Sequence, residues 1–198
     1  DLTPLGPECG ARRLFDLKPS AVLERWDSPR VAGRPFSVSA TVTATAGDGV
    51  ILAHGGHLDG YALYLKGGQL TFAIRVNRTL TVVSINKPFP LNKEVKITAR
   101  VRRDATLELA IDDGKPAEMP SPGLMVRQPL DGLSVGTDAG VLVGPYEKEN
   151  GFKGTLKNVR VMLTGIALIY TGNLQVMTAG PYQFSLAADA TTRLEING

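Results

Sequence analysis

Two histidines and an aspartate lie within six residues of one another in HGGHLD, at His54, His57 and Asp59. Imidazole nitrogens and carboxylates are common zinc ligands, and catalytic zinc usually takes three protein side chains. Residues three apart in an extended strand point to opposite faces, so Gly55 and Gly56 would have to bend the chain to bring the three together. The alternative interpretation is that they are polar residues at a strand end, and we favour it.

Composition narrows the classes of function. The 198 residues are 43% hydrophobic, which is typical of a globular protein with a buried core. Basic residues exceed acidic ones by only 22 − 19 = 3 and are scattered, so nucleic acid is not an expected partner. Cys9 is the only cysteine, which excludes an intramolecular disulfide and a cysteine-based metal site. No apolar run is long enough to span a bilayer, and the opening DLTPLGPECG suggests a piece of a larger protein.

Three segments are expected along the chain. Residues 1–20 are rich in proline and glycine without a period, which predicts an extended lead-in. Residues 21–164 carry many short strand patterns between glycine-rich turns, and only SAVLERW at 20–26 could form a helical turn or two. They predict an all-β antiparallel sandwich. Residues 165–198 hold further strand patterns but are too few to close a core alone, so we expect a short additional β segment there.

Alternation and turns predict the faces of the strands. PFSVSATVTA at 35–44 alternates apolar and polar residues, as a half-buried antiparallel strand does. A Gly67–Gly68 turn predicts a hairpin with Leu65, Leu63 and Tyr61 opposite Leu70, Phe72 and Ile74, and with Tyr64, Lys66 and Arg75 on a solvent face. A loop at 103–105 predicts a second hairpin that pairs Val101 with Leu107, Ala99 with Leu109, Ile97 with Ile111 and Arg100 with Glu108. AGVLVG at 139–144 and GFKGTLKNVRVML at 151–163 predict two later strands.

These segments resemble a known family. GVILAHGG, GYALYLKGGQLTFAIRV and ITARVRRDATLELAIDDGKP, with the closing GFKGTLKNVRV, resemble the laminin G-like, concanavalin A-like jelly-roll domains. The runs GRPFSVSATV, GLMVRQPLDGLSVGTD and VGPYEKENGFKG are similar to sandwich domains appended to large secreted bacterial proteins, including some arylsulfatases. The resemblance implies a non-catalytic jelly-roll β-sandwich over residues 21–164 that contacts glycans or neighbouring domains at its rim.

The end of the chain resembles a different module. GPYQFSL at 180–186 and RLEING at 193–198 resemble the first part of the protective-antigen type of β module, found in toxins, adhesins and glycosidases. Sugar-binding members carry paired aspartates where this chain has AADATT, in which only Asp189 is present. That departure argues against carbohydrate binding by the tail.

The predicted binding surface is the loop rim formed by residues 54–60 and 137–150. Its candidate ligand-binding residues are Asp59, His57, Asp138 and Tyr146, with Tyr146 expected to be the exposed aromatic. The family resemblance also implies calcium, because laminin G-like domains often bind it through rim carboxylates and backbone carbonyls. Asp59 and Asp138 are the candidate calcium ligands, and the alternative is that both only form turns. We expect no other cofactor.

Catalytic patterns do not support an enzyme. The β-glucanases that share this fold place Glu-x-Asp-x-x-Glu on one strand, and no such string occurs. Cys9 begins a C-x-A-x-R pattern like that of sulfatases, but the sequence lacks their large α/β domain.

We therefore predict a non-enzymatic binding module of a larger secreted or envelope protein, extracellular or periplasmic. It would contact a polysaccharide or a partner protein through its rim loops. The alternative is a structural subunit whose edge strands and tail pair with a neighbouring chain. A glycan-active enzyme is a less favoured alternative.

Overall fold

A computed structural model describes residues 12–164, which form two six-stranded antiparallel sheets packed face to face. No helix, and so none that could cross a membrane, occurs in this range. The strands are β1 (Leu14–Leu17), β2 (Val22–Leu23), β3 (Phe36–Ala44), β4 (Gly49–Gly55), β5 (Gly60–Lys66), β6 (Gln69–Val76), β7 (Thr79–Ser84), β8 (Val95–Val101), β9 (Thr106–Ile111), β10 (Ala117–Pro120), β11 (Leu133–Val135) and β12 (Gly154–Leu163). The predicted all-β jelly-roll sandwich is confirmed.

The main core lies between the two sheets. Sheet A has the order β1-β12-β3-β8-β9-β10, and sheet B has the order β2-β11-β4-β5-β6-β7. Strand β3 alternates buried and half-buried residues along its whole length, as its sequence predicts. In β12 the buried positions are Leu156, Val159, Val161 and Leu163. The apolar side of each strand therefore faces the opposite sheet, which stabilises the sandwich by removing that side from water.

Both predicted hairpins are confirmed in register. Gly67 and Gly68 have φ values of 55° and 72°, which is the type I′ turn that matches the twist of paired strands. All three predicted apolar pairs between β5 and β6 are present, as are those between β8 and β9. Arg100 lies opposite Glu108, with 3.8 Å between their charged groups.

The outer face of sheet B is covered in part: Tyr64 is buried there, whereas Lys66 is exposed as the sequence predicts. Tyr64 is only 2% exposed and belongs to a second, smaller apolar cluster with Val143. Lys66 donates a hydrogen bond to the Pro145 carbonyl, and Arg75 Nε donates one to the Val143 carbonyl. Residues 139–144, predicted as a strand, belong to a loop that lies over this face. Alternation along a strand separates two faces, but it does not show that a distant loop packs on one of them.

The beginning of the sandwich also differs from expectation. Leu14–Leu17, which the sequence analysis assigned to the lead-in, forms β1 and pairs with β12, so that Phe15 lies opposite Val161. The segment 20–26, where the sequence allows a helical turn or two, instead contributes β2 and enters a turn. Pairing with another strand outweighs the weak local helix preference of a seven-residue segment. Residues 1–11 and the protective-antigen-like segment at 165–198 lie outside the described residues.

Candidate functional site

A pocket of about 190 Å³ lies at the rim of the sandwich, where the loop after β4 meets the loop before β11. We call it the rim pocket. It is lined by Gly56, His57, Leu58, Asp59, Arg127, Gln128, Leu130, Asp131 and Val141. Two of the four predicted site residues, His57 and Asp59, therefore lie at one site.

Glycines allow the two loops to approach each other closely. Gly55, at the end of β4, has a φ of 88°, and a Cβ there would lie 2.5 Å from the Asp59 carbonyl and 2.6 Å from Pro129 Cβ. A Cβ at Gly56 would lie 3.0 Å from Asp131 Oδ2. Side chains at either position would push the loops apart, so the HGGH sequence is what permits the pocket to form.

Asp59 holds Arg127 in place at the pocket. Its carboxylate is 5% exposed, and Oδ1 accepts a hydrogen bond of 3.0 Å from the Asn77 backbone N–H. Oδ2 lies 3.2 Å from Arg127 Nη2, which also donates to the Asn77 side-chain oxygen at 2.8 Å. The Arg127 side chain remains 61% exposed. The buried carboxylate therefore orients a guanidinium that remains largely exposed to solvent or a ligand.

The rest of the pocket combines polar groups with aliphatic side chains. Asp131 Oδ2 accepts a hydrogen bond from the Val141 backbone N–H at 3.0 Å, which ties the loop before β11 to the loop after it. Leu130 is 58% exposed and Val141 is 48% exposed. His57 is exposed beside them. A ligand in this pocket would meet a guanidinium, a carboxylate and an imidazole next to apolar surface, which suits an amphiphilic group.

Asp138 and Tyr146, the other two predicted site residues, do not line the rim pocket. Asp138 is 5% exposed, and its Oδ2 accepts hydrogen bonds from the Val143 N–H at 2.9 Å and the Tyr146 hydroxyl at 2.5 Å. The Tyr146 ring packs edge-on against Tyr64, with 4.9 Å between ring centroids. Burial raises the pKa of Asp138, and burial next to Asp138 raises that of Tyr146. These residues anchor the loop over sheet B.

The exposed aromatic lies elsewhere. Tyr146 is half-buried, whereas Trp26 is 75% exposed. The expectation that Tyr146 is the exposed aromatic is therefore wrong, because its ring and hydroxyl are used to hold the loop.

His54 lies in the core, although the sequence analysis placed it on the rim. It is fully buried in β4, opposite Tyr61 of β5, with 5.2 Å between the two ring centroids. Burial lowers the pKa of His54 to about 3. Among the described residues, neither imidazole nitrogen has a hydrogen-bond partner, and nor does the Tyr61 hydroxyl. His54 is thus separated from His57 and Asp59, which face the rim pocket.

Both candidate calcium ligands already have partners in this arrangement. Asp59 Oδ2 is occupied by the Arg127 guanidinium, and Asp138 Oδ2 is occupied by two hydrogen-bond donors. Calcium takes six to eight oxygen ligands. Within residues 12–164, no three His, Cys, Asp or Glu side chains are grouped so that they could hold a metal ion.

No sequence motif predicts that the loop before β11 lines the pocket. Arg127, Leu130 and Asp131 come from residues 121–132, which connect β10 to β11. Their types and spacing match no chemical motif. The feature of the sequence that could have indicated this loop was its length, because a connection of this length without secondary structure often carries function.

A family model and one laminin structure agree with this architecture, and two other solved structures are also similar. A family model described as "Laminin G domain" matches residues 42–163. Among solved structures, domains LG4-5 of the mouse laminin alpha1 chain match with a TM-score of 0.59 and 16% identity, over 75% of this chain and 40% of that one. A SAP-like pentraxin from Limulus polyphemus matches with a TM-score of 0.48 and 15% identity, over 75% of this chain and 68% of that one. A carbohydrate-binding module from Bacillus subtilis matches with a TM-score of 0.43 and 16% identity, over 65% of this chain and 75% of that one. A search of curated proteins finds no match.

Proposed function

Because the chain belongs to the laminin G domain family, we propose that it is a non-catalytic binding module of a larger extracellular or envelope protein. Its rim pocket would hold one unit of a chain-like ligand, either a sugar residue of a polysaccharide or a side chain of a partner protein. Domains of the resembled type contact such ligands through rim loops, which is where this pocket lies.

The observation that carries the proposal is that the buried Asp59 carboxylate holds the exposed Arg127 guanidinium at the pocket. A guanidinium fixed by a buried carboxylate is already oriented before a ligand arrives, so little side-chain entropy is lost on binding. The neighbouring Leu130 and Val141 expose apolar surface within the same pocket. Drug-sized ligands occupy pockets of roughly 300–1,000 Å³. The smaller rim pocket therefore suits a single unit of a polymer.

Binding by variants of the full chain tests this proposal. The wild-type protein is screened against immobilised neutral, uronic-acid and sulfated polysaccharides and against a displayed library of random peptides. We expect Arg127→Ala to weaken binding of the recovered ligand by roughly tenfold or more. Arg160→Ala is the matched control, because Arg160 is also an exposed arginine in an ion pair, with Asp16 on the outer face of sheet A.

A second variant separates binding from stability. Arg127→Ala leaves the buried carboxylate of Asp59 without its partner, whereas Leu130→Ala removes only an exposed side chain. Both should weaken binding. Recovery of no ligand at all, or equal binding by both variants and the wild type, would refute the rim pocket as the binding site.

A further inference from the structure

A second groove, of about 300 Å³, continues from the rim pocket along the edge of sheet B. We call it the side groove. It is lined by Val22, Leu23, Glu24, Arg25, Leu130, Asp131, Gly132, Leu133, Ser134, Asp138, Ala139 and Gly140. Leu130 and Asp131 line both the side groove and the rim pocket, so the two form one elongated surface. An elongated surface suits a chain-like ligand.

Exposed aliphatic side chains follow this surface. Val22 is 65% exposed at one end, Leu130 is 58% exposed where the two parts meet, and Val141 is 48% exposed in the rim pocket. Large apolar side chains gathered on one exposed surface mark protein interaction sites. The lining of both parts contains no Phe, Tyr or Trp ring on which a sugar could stack. The lining therefore favours a protein ligand.

Arg25 lines the side groove, and the Trp26 ring packs against the Arg25 guanidinium. Trp26 is the only tryptophan in the chain, and the Arg25 guanidinium lies 4.8 Å from its ring centroid. Tryptophan and arginine are among the residues that most often dominate protein interfaces. Arg25 Nε is buried and has no hydrogen-bond partner within the described residues.

The neighbouring strand β2 has an open side. It is the outermost strand of sheet B, and among residues 12–164 it pairs only with β11. The open side of an edge strand presents backbone N–H and C=O groups to which an extended peptide can pair. The side groove is lined by residues of both β2 and β11, so an extended segment in it would lie against β2.

The charge of the side groove indicates which charged side chain a bound peptide segment would carry. Exposed Glu24, half-buried Asp131 and buried Asp138 line it against one basic side chain, Arg25, on a chain whose net charge is +3. Asp131 uses only its Oδ2 to bind Val141. A locally acidic surface is complementary to a basic side chain.

We propose that the rim pocket and side groove together bind an extended segment of a partner protein that carries aliphatic side chains and a lysine or arginine. This inference rests on the proposed function and names the class of ligand. The aliphatic side chains contact Val22 and Leu130, the basic side chain faces Glu24 and Asp131, and the backbone lies beside β2.

Selection of peptides against the full chain tests the inference. A displayed library of random twelve-residue peptides lacking tryptophan is selected, and the enriched peptides are synthesised. We expect them to combine aliphatic and basic residues and to change the fluorescence emission of Trp26, which is the only tryptophan present. Val22→Glu should weaken binding by roughly tenfold or more, and Val22→Ala should weaken it less. Leu91→Glu is the matched control, since Leu91 is 44% exposed on the connection between β7 and β8 and lines neither part of the surface.

A charge reversal identifies the acidic contact. Glu24→Lys should weaken binding of a basic peptide, and a peptide with its lysine or arginine replaced by glutamate should bind this variant better than it binds the wild type. Peptides that bind Val22→Glu and Glu24→Lys as well as the wild type would overturn the inference. Binding of a polysaccharide alone, dependent on Arg127, would overturn it while leaving the proposed function intact. Recovery of neither ligand would overturn both.

Discussion

Acidification should destabilise this protein through His54. Its imidazole is fully buried against Tyr61, and neither nitrogen has a hydrogen-bond partner among the described residues. Burial without a partner penalises the charged form, which is why the pKa falls from 6.5 to about 3. His57, the only other histidine, is exposed on the rim and provides an internal comparison.

The size of the effect follows from the two pKa values of His54. A group whose pKa is lowered by folding stabilises the folded state fully above its unfolded pKa, and this contribution is lost as the pH falls toward the folded pKa. Between pH 6.5 and pH 5 the unfolded state binds a proton that the folded state does not. At about 1.36 kcal/mol for each of these 1.5 pH units, the free energy of unfolding falls by about 2 kcal/mol.

Urea unfolding at pH 7 and pH 5 measures this difference. We expect the wild type and His57→Gln to lose about 2 kcal/mol more between these pH values than His54→Leu does. Leucine has a similar volume and nothing to protonate, so His54→Leu should also be at least as stable as the wild type at pH 7. An equal loss in His54→Leu and the wild type would refute the assignment of this pH dependence to His54.

Three other predictions concern the loops of the site. Gly55→Ala should lower the free energy of unfolding by more than about 2 kcal/mol in urea titrations. The new Cβ would lie 2.5 Å from the Asp59 carbonyl, and residue 55 has a positive φ that alanine rarely adopts. A near-neutral effect would contradict the loop geometry. Tyr146→Phe should cost about 1–3 kcal/mol in the same assay, because Asp138 loses a hydrogen bond, and an unchanged midpoint would show that the hydroxyl does not anchor the loop. Calcium should leave the melting temperature at its value in chelator, because Arg127 occupies Asp59, and a clear rise would show that the cation can displace it.

The strands could be predicted wherever the sequence specifies both a turn and an alternating pattern. Gly67 and Gly68 fix a type I′ turn, and this turn sets the register of every pair between β5 and β6. The segment Leu14–Leu17 gave no comparable signal, because a four-residue edge strand depends on β12 for its pairing. Local pattern therefore identified the long hairpins, whereas short edge strands required tertiary contacts.

The candidate site was only partly predictable for the same physical reason. His57 and Asp59 could be predicted because both lie in the loop directly after β4, and both line the rim pocket. Arg127 lies 68 positions after Asp59 in the sequence, and nothing in its local sequence indicates that the two residues form an ion pair. The burial of His54 could not be predicted, because a polar residue at a strand end is expected to face solvent. Only the packing of Tyr61 beside it shows that His54 faces the core.

Mapping the binding surface by NMR tests the central claim most directly. The full chain is labelled with ¹⁵N and titrated with the ligand recovered from the peptide and polysaccharide screens. The account predicts that backbone shifts change around Arg127, Leu130 and Asp131, and along β2 when the ligand is a peptide. Shifts confined to the outer face of sheet A, with the rim pocket unaffected, would contradict it.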